Sequence, residues 1–189
     1  MGTKPRESRK QSDWRRRLNK KEKAKIQKIY QKAKICKKEK SGLSTRMLTK
    51  FLTQTRHFLG VYSQDKLKTL SLQQFPSFFI VNLDSHDMPG SHWIAIGLFS
   101  RKLEIFDSLG FRLFDWPKIP CDLLNFLLKF SIGREVKVSK PLQSFESSFC
   151  GFYCIFYTLA RNHMSFRKIE SFFTSNLRYN DKILINLFK

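Results

Sequence analysis

The sequence predicts one α+β domain over residues 41–189, with a small mixed or antiparallel sheet flanked by helices, behind a basic arm over residues 1–40. Three observations carry this reading. Short β-branched and aromatic runs bounded by Pro, Gly or Asp lie mid-chain, and longer runs with helical spacing precede and follow them. Charge is unevenly divided, with 17 of the 36 Lys and Arg but only 4 of the 15 Asp and Glu in residues 1–40. A length of 189 residues suits one domain rather than two, and 19 Phe among 14% aromatics supply a real core.

Each element has a local signature. In residues 45–54, "TRMLTKFLTQ", Met47, Leu48, Phe51 and Leu52 share one helical face. "FFIVNL" at 78–83 and "HWIAIGLF" at 92–99 are strands, and "KLEIFDS" at 102–108 follows a short turn, so the last two form an antiparallel hairpin. "CDLLNFLLKF" at 121–130 is a helix starting just after Pro120, and "REVKVSK" is a short alternating strand. Residues 150–160 are almost wholly apolar and form a buried helix; one or two helices close the chain.

The arm reads as a basic helix, with Ile26, Ile29, Tyr30, Ala33 and Cys36 at three- and four-residue steps. A net charge of +21 calls for a polyanion, either nucleic acid or, less often, an anionic membrane surface. Arg15, Arg16, Arg17, Lys20, Lys21, Lys23 and Lys25 are the candidate contacts to DNA or RNA; the same run also suits a nuclear-import signal or a solvated tail. No base-reading motif accompanies them. No apolar signal region opens the chain and no apolar run could span a bilayer, so no membrane association is expected. The four cysteines lack the spacing of a secreted disulfide scaffold, which points to free thiols in a reducing intracellular compartment.

Two of those cysteines begin the buried helix. Cys154 reads as a core filler. Cys150 stands where the polar loop "QSFESS" meets the first helical turn, and the positive helix end there favours a thiolate. Gly151 beside it offers room for a substrate backbone. A thiolate nucleophile needs a base, and the base an orienter. Of four histidines, His57 and His163 lie in cation-rich stretches and His86 in the loop "NLDSHDMPG". His92 opens a strand just after Gly90 and Ser91, and the hairpin returns Asp107 to within a few residues of it. A capped strand-end histidine and a turn aspartate remain the plain alternative. No paired Cys/His spacing marks a zinc site, and none is expected.

Taken in order, "GSHWIAIGLF", "LEIFDSLG" and "LQSFESSFCGFYCIF" resemble the adenovirus protease (adenain) family and, more loosely, the ubiquitin-like-protein proteases of the same papain-like fold. "FLGVYSQDKL" and "NLRYNDKILINLF" resemble segments near the start and end of those proteases, so the likeness spans roughly residues 50–188. It implies a thiol endopeptidase with its nucleophile, Cys150, at the N-terminus of a buried helix, His92 as base and acid, and Asp107 as orienter. Gln143, seven residues before Cys150, would be the oxyanion donor. Trp93, Gly90, Phe149 and Gly151 would line a narrow channel admitting glycine near the cut. No cofactor is required, although DNA serves as an activator in adenain relatives.

Two departures matter. Asp107 stands where adenoviral members carry Glu. The cysteine through which those members bind an activating peptide has no counterpart in "FSIGREVKVSK", and Cys121 lies too far upstream. The resemblance favours a monomeric viral or virus-like maturation protease cutting capsid or core precursors in the host nucleus and virion. A protease for a ubiquitin-like modifier of the SUMO type and a non-catalytic basic nucleic-acid-binding protein are the alternatives.

Overall fold

The structure, a computed structural model, describes residues 42–110 and 119–188. The basic arm and its seven candidate contacts lie outside the described residues. In chain order the elements are α1 (Thr45–Leu52), β1 (Phe58–Ser63), a 3-10 turn (Gln64–Thr69), β2 (Ser77–Asn82), β3 (Trp93–Leu98) and β4 (Lys102–Phe106). There follow α2 (Cys121–Ser131), β5 (Glu135–Val138), α3 (Cys150–Arg161), α4 (Phe166–Glu170) and α5 (Leu177–Phe188). The five strands form one sheet in sequence order. It is mixed: β2–β3 and β3–β4 are antiparallel, whereas β1–β2 and β4–β5 are parallel.

Alternation along the strands divides the core into two layers. Phe78, Ile80, Trp93, Ala95 and Phe106 face α3, with α1, α4 and α5 packed around it. Phe79, Val81, Ile94, Ile96 and Ile105 face α2 and Leu67 of the 3-10 turn. Helix α3 therefore has the sheet on one side and helices on the others, and only Arg161, at its end, escapes full burial. Its apolar composition all round follows from that position.

One polar cluster anchors the far end of α3. Glu104, 1% exposed on β4, accepts two hydrogen bonds from the Arg161 guanidinium, at 2.7 and 3.0 Å, and one from the Tyr157 hydroxyl at 2.8 Å. Gly97, opposite Glu104 on β3, makes room for this: a side chain there would collide with the Tyr157 hydroxyl. Arg161 also stacks over Phe99, 4.4 Å from the ring centre. Removing one partner from such a buried pair typically costs about 3–5 kcal/mol, so this cluster holds α3 in register on the sheet. Among the described residues no helix is long and apolar enough to cross a membrane.

The strand directions decide what meets at the other end. β3 begins there, while β4 and β5, being parallel, both finish there. The residues before β3, after β4 and after β5 are thereby gathered beside the start of α3.

Candidate active site

His92 immediately precedes β3 and Asp107 immediately follows β4. Their separation along the ladder is small because Ala95 pairs with Phe106. The ring Nε2 of His92 lies 2.7 Å from Asp107 Oδ1, and both residues are buried. A carboxylate only accepts, so Nε2 carries the proton. The other ring nitrogen, Nδ1, is left for Cys150, which lines the same cleft and lies close enough to act on the ring. Burial alone would pull the imidazole pKa down; the bond to Asp107, then the bond to Cys150, and the negative charges of both outweigh it and raise it to about 9. His92 is thus held as an imidazolium through neutral pH.

Asp107 is immobilised from several directions. Its Oδ1 also accepts from the amide of Leu109 at 2.8 Å. Ser139, just beyond β5, accepts from the Asp107 amide at 2.8 Å and donates to its carbonyl at 2.6 Å through the same hydroxyl. The turn closes with the Gly110 amide on the Asp107 carbonyl, and Gly110, at φ +84°, packs so closely on Pro141 that no side chain would fit.

Cys150 opens α3 with no side chain capping the helix, so the positive helix end stands bare beside its sulfur. Cys154, one turn on, points into the core, its thiol 3.4 Å from the Trp93 carbonyl. Burial, then the negative charges of Cys150 and Asp107, push its pKa well up, which keeps it a neutral thiol.

Gln143 comes to the site by way of β5. It is 1% exposed, and its carboxamide is fixed at both ends: Oε1 accepts from Ser108 Oγ at 2.6 Å and Nε2 donates to the Ser147 carbonyl at 2.7 Å. Its backbone amide and that of Leu142 both donate to the Ser108 carbonyl. Helix α5 braces the same loop, since Asn180 donates to the Leu142 carbonyl and Asp181 accepts from the Ser144 amide and the Tyr153 hydroxyl. Ser108, Ser139, Asn180 and Asp181 were not singled out from sequence. Only Ser108 carried a signal, its position next to Asp107.

A cleft of about 660 Å³ opens over these groups. His92, Trp93, Gln143 and Cys150 line it, with Gly90 and the exposed side chains of Met88 and Phe145 at its rim. Trp93 is held there by its indole N–H, which donates to the Leu43 carbonyl at 2.9 Å. His86 also borders the cleft and is paired with Asp65, Nδ1 to Oδ2, at 2.9 Å.

Two residues expected along the substrate channel sit elsewhere. Phe149 faces away from the cleft, lining a separate depression with Arg178, Lys182 and Ile185 and stacking edge-on against Phe152. The one-residue step from Cys150 on a helix turns it to another side. Gly151 is buried against Leu43, whose Cβ would lie 3.0 Å from an added Cβ, so its small size serves packing of the helix rather than substrate approach. Among the described residues no group of three or more His, Cys, Asp or Glu is arranged to hold a metal.

The site therefore has the Cys150 sulfur at a helix N-terminus, a His92 imidazole paired with a carboxylate beside it, and the Gln143 carboxamide lining the same cleft. That set can support nucleophilic attack on a carbonyl carbon and stabilise the oxyanion formed. No family model and no curated protein matches the sequence. Among solved structures, an ASFV protease matches with a TM-score of 0.50 and 18% identity, over 80% of this chain and 69% of that one. This chain shares that protease's fold. The SUMO protease Ulp1 aligns over 91% of this chain and 97% of its own, at 16% identity and a TM-score of 0.39.

Proposed function

We propose that this protein is a cysteine endopeptidase in which Cys150 is the nucleophile, His92 the proton carrier, Asp107 the orienting carboxylate and Gln143 the oxyanion donor. The observation that carries this is His92, hydrogen-bonded to Asp107 at 2.7 Å and lining one cleft with Cys150 at the start of α3. In the reaction, the Cys150 thiolate attacks the scissile carbonyl carbon and the oxyanion is met by Gln143 with the amide of Cys150. His92 gives its proton to the leaving amine as the C–N bond breaks, leaving a thioester. Water, deprotonated by His92, then attacks the thioester carbonyl, the C–S bond breaks, and the acid product leaves the Cys150 thiolate beside a protonated His92 as at the start.

The substrate in this reading is an extended protein segment with glycine beside the cut, supported by the bulk of Trp93 along the cleft. The likeness in fold to an ASFV protease supports a maturation protease acting on precursors of a virus or virus-like element. A peptide library containing glycine pairs tests this. Hydrolysis is expected to prefer glycine next to the scissile bond and to fall as pH rises through about 9, where His92 loses the proton it gives to the leaving amine. Alkylation of Cys150 by iodoacetamide needs no such proton and should persist above that pH. A library that prefers bulky residues at the cut, or hydrolysis and alkylation failing together at high pH, would count against these assignments.

The basic arm, in the same reading, concentrates the enzyme on nucleic-acid-associated substrates. With 17 cations in residues 1–40, several phosphates can be neutralised, each contributing about −0.9 to the log–log salt slope on duplex DNA. Deleting residues 1–40 is expected to weaken DNA binding and flatten that slope while a short free peptide is still hydrolysed. Unchanged affinity and slope would leave nuclear import as the arm's role.

A further inference from the structure

We infer that Ser108 is a positioning residue for the oxyanion donor: its hydroxyl fixes the direction in which the Gln143 carboxamide presents its N–H to the cleft. This rests on the peptidase reading and on four observations. The Gln143 amide has its two ends held by groups of opposite character, Ser108 Oγ at 2.6 Å and the Ser147 carbonyl at 2.7 Å. A carbonyl can only accept, so Nε2 must face Ser147, Oε1 must face Ser108, and the serine hydroxyl must donate. Nε2 carries two hydrogens and Ser147 takes one, which leaves the second for a ligand in the cleft that Gln143 lines. Ser108 and Gln143 are each 1% exposed, so water cannot replace the hydroxyl as the partner of Oε1.

The reach of Ser108 goes beyond its side chain. Its carbonyl accepts from the amides of both Leu142 and Gln143, at 2.7 and 2.8 Å, so backbone and side chain of the donor residue are referenced to one residue. That residue is bonded directly to Asp107. The element that orients the base and the element that orients the oxyanion donor are thus consecutive residues of a single turn, and Pro141 packed on Gly110 keeps the two loops together. Oxyanion stabilisation depends on the donor being in place before charge develops, since a free amide would have to reorganise during the reaction. The Ser108 hydroxyl supplies that order.

Ser108→Ala removes one oxygen and leaves the backbone bonds. Its kcat on a peptide is expected to fall about 10-fold, less than the 10²–10³-fold for loss of a whole oxyanion donor, with KM nearly unchanged. The rate of Cys150 alkylation by iodoacetamide, which forms no oxyanion, should stay within about 2-fold of the parent. The decisive measurement is a double-mutant cycle: in a Gln143→Ala background, Ser108→Ala should cost nothing further, because its effect passes through Gln143. Ser108→Thr, which keeps the hydroxyl, should recover much of the loss. Multiplicative losses in the double variant, or an equal fall in alkylation, would overturn the inference by showing damage to the thiol or the fold. Full hydrolysis by Ser108→Ala beside a poor Gln143→Ala enzyme would overturn it alone; no hydrolysis even by the parent chain, with Cys150 unreactive, would overturn it together with the peptidase reading.

Discussion

Cys150→Ala is expected to lower peptide hydrolysis by about 10⁶-fold, to the limit of detection, the scale on which serine and cysteine hydrolases lose activity when the nucleophile is deleted. Among the described residues no other thiol is placed to take over its role. Cys154 is a turn further into the helix, fully buried, bonded to the Trp93 carbonyl and held neutral by burial and by the charges of Cys150 and Asp107. The exposed Cys121, at the start of α2, does not line the cleft. Cys154→Ala should therefore leave the chemistry in place and cost stability instead, by about 1 kcal/mol or more for the small cavity left in the core. Urea unfolding and a peptide assay on the two variants separate these effects. Alkylation must be read by peptide mapping, because Cys121 is exposed and will react in every variant. If Cys150→Ala retains activity, or if both variants lose it while remaining folded, the division of roles between the two cysteines is wrong.

Much of this arrangement was legible in the sequence because it is encoded locally. The hairpin of β3 and β4 is a strand, a turn and a strand, so the approach of Asp107 to His92 follows from counting along a ladder. The apolar run from Cys150 marks a buried helix by composition alone. β1 was harder to see, because Gly60 sits at φ +147° beside a register shift and breaks the alternation by which strands are recognised. Parallel pairing was invisible for a different reason. β5 joins β4 through a long crossover, and nothing local in "REVKVSK" states its direction, yet that direction is what carries Gln143 to Ser108. Helical phase separated Phe149 and Gly151 from the cleft although both adjoin Cys150 in sequence. Proximity in chain is a good guide across a tight turn and a poor one around a helix.

Asp107 shows how fine the distinction between geometry and charge becomes at this site, and its replacement is the second large effect expected. Asp107→Ala removes the partner of His92 Nε2 and is expected to reduce turnover by about 10⁴-fold, as for the orienting carboxylate of other triads. Asp107→Asn should behave differently, for a reason specific to this turn. The oxygen that accepts from His92, Oδ1, is the same one that accepts from the Leu109 amide at 2.8 Å. Turning the Asn amide to place its NH₂ there would set donor against donor at Leu109, so the oxygen stays and His92 keeps its proton on Nε2. The tautomer is preserved and only the negative charge is lost. That charge and its hydrogen bond are what hold the imidazolium against burial, so the pKa of about 9 should fall toward or below the ordinary histidine value of 6.5. A fall of about two units would leave about 25-fold less imidazolium at pH 8.5, just below the parent value, and kcat should drop by a similar factor there. At pH 6 the deficit should be smaller, because more of the ring is protonated in both enzymes. The Asn variant's descending limb should accordingly lie well below pH 9, which a pH–rate profile measures directly. A deficit that is the same at pH 6 and pH 8.5, with the limb unmoved, would mean that Asp107 acts on His92 through placement alone and that the amide has rotated at Leu109 after all.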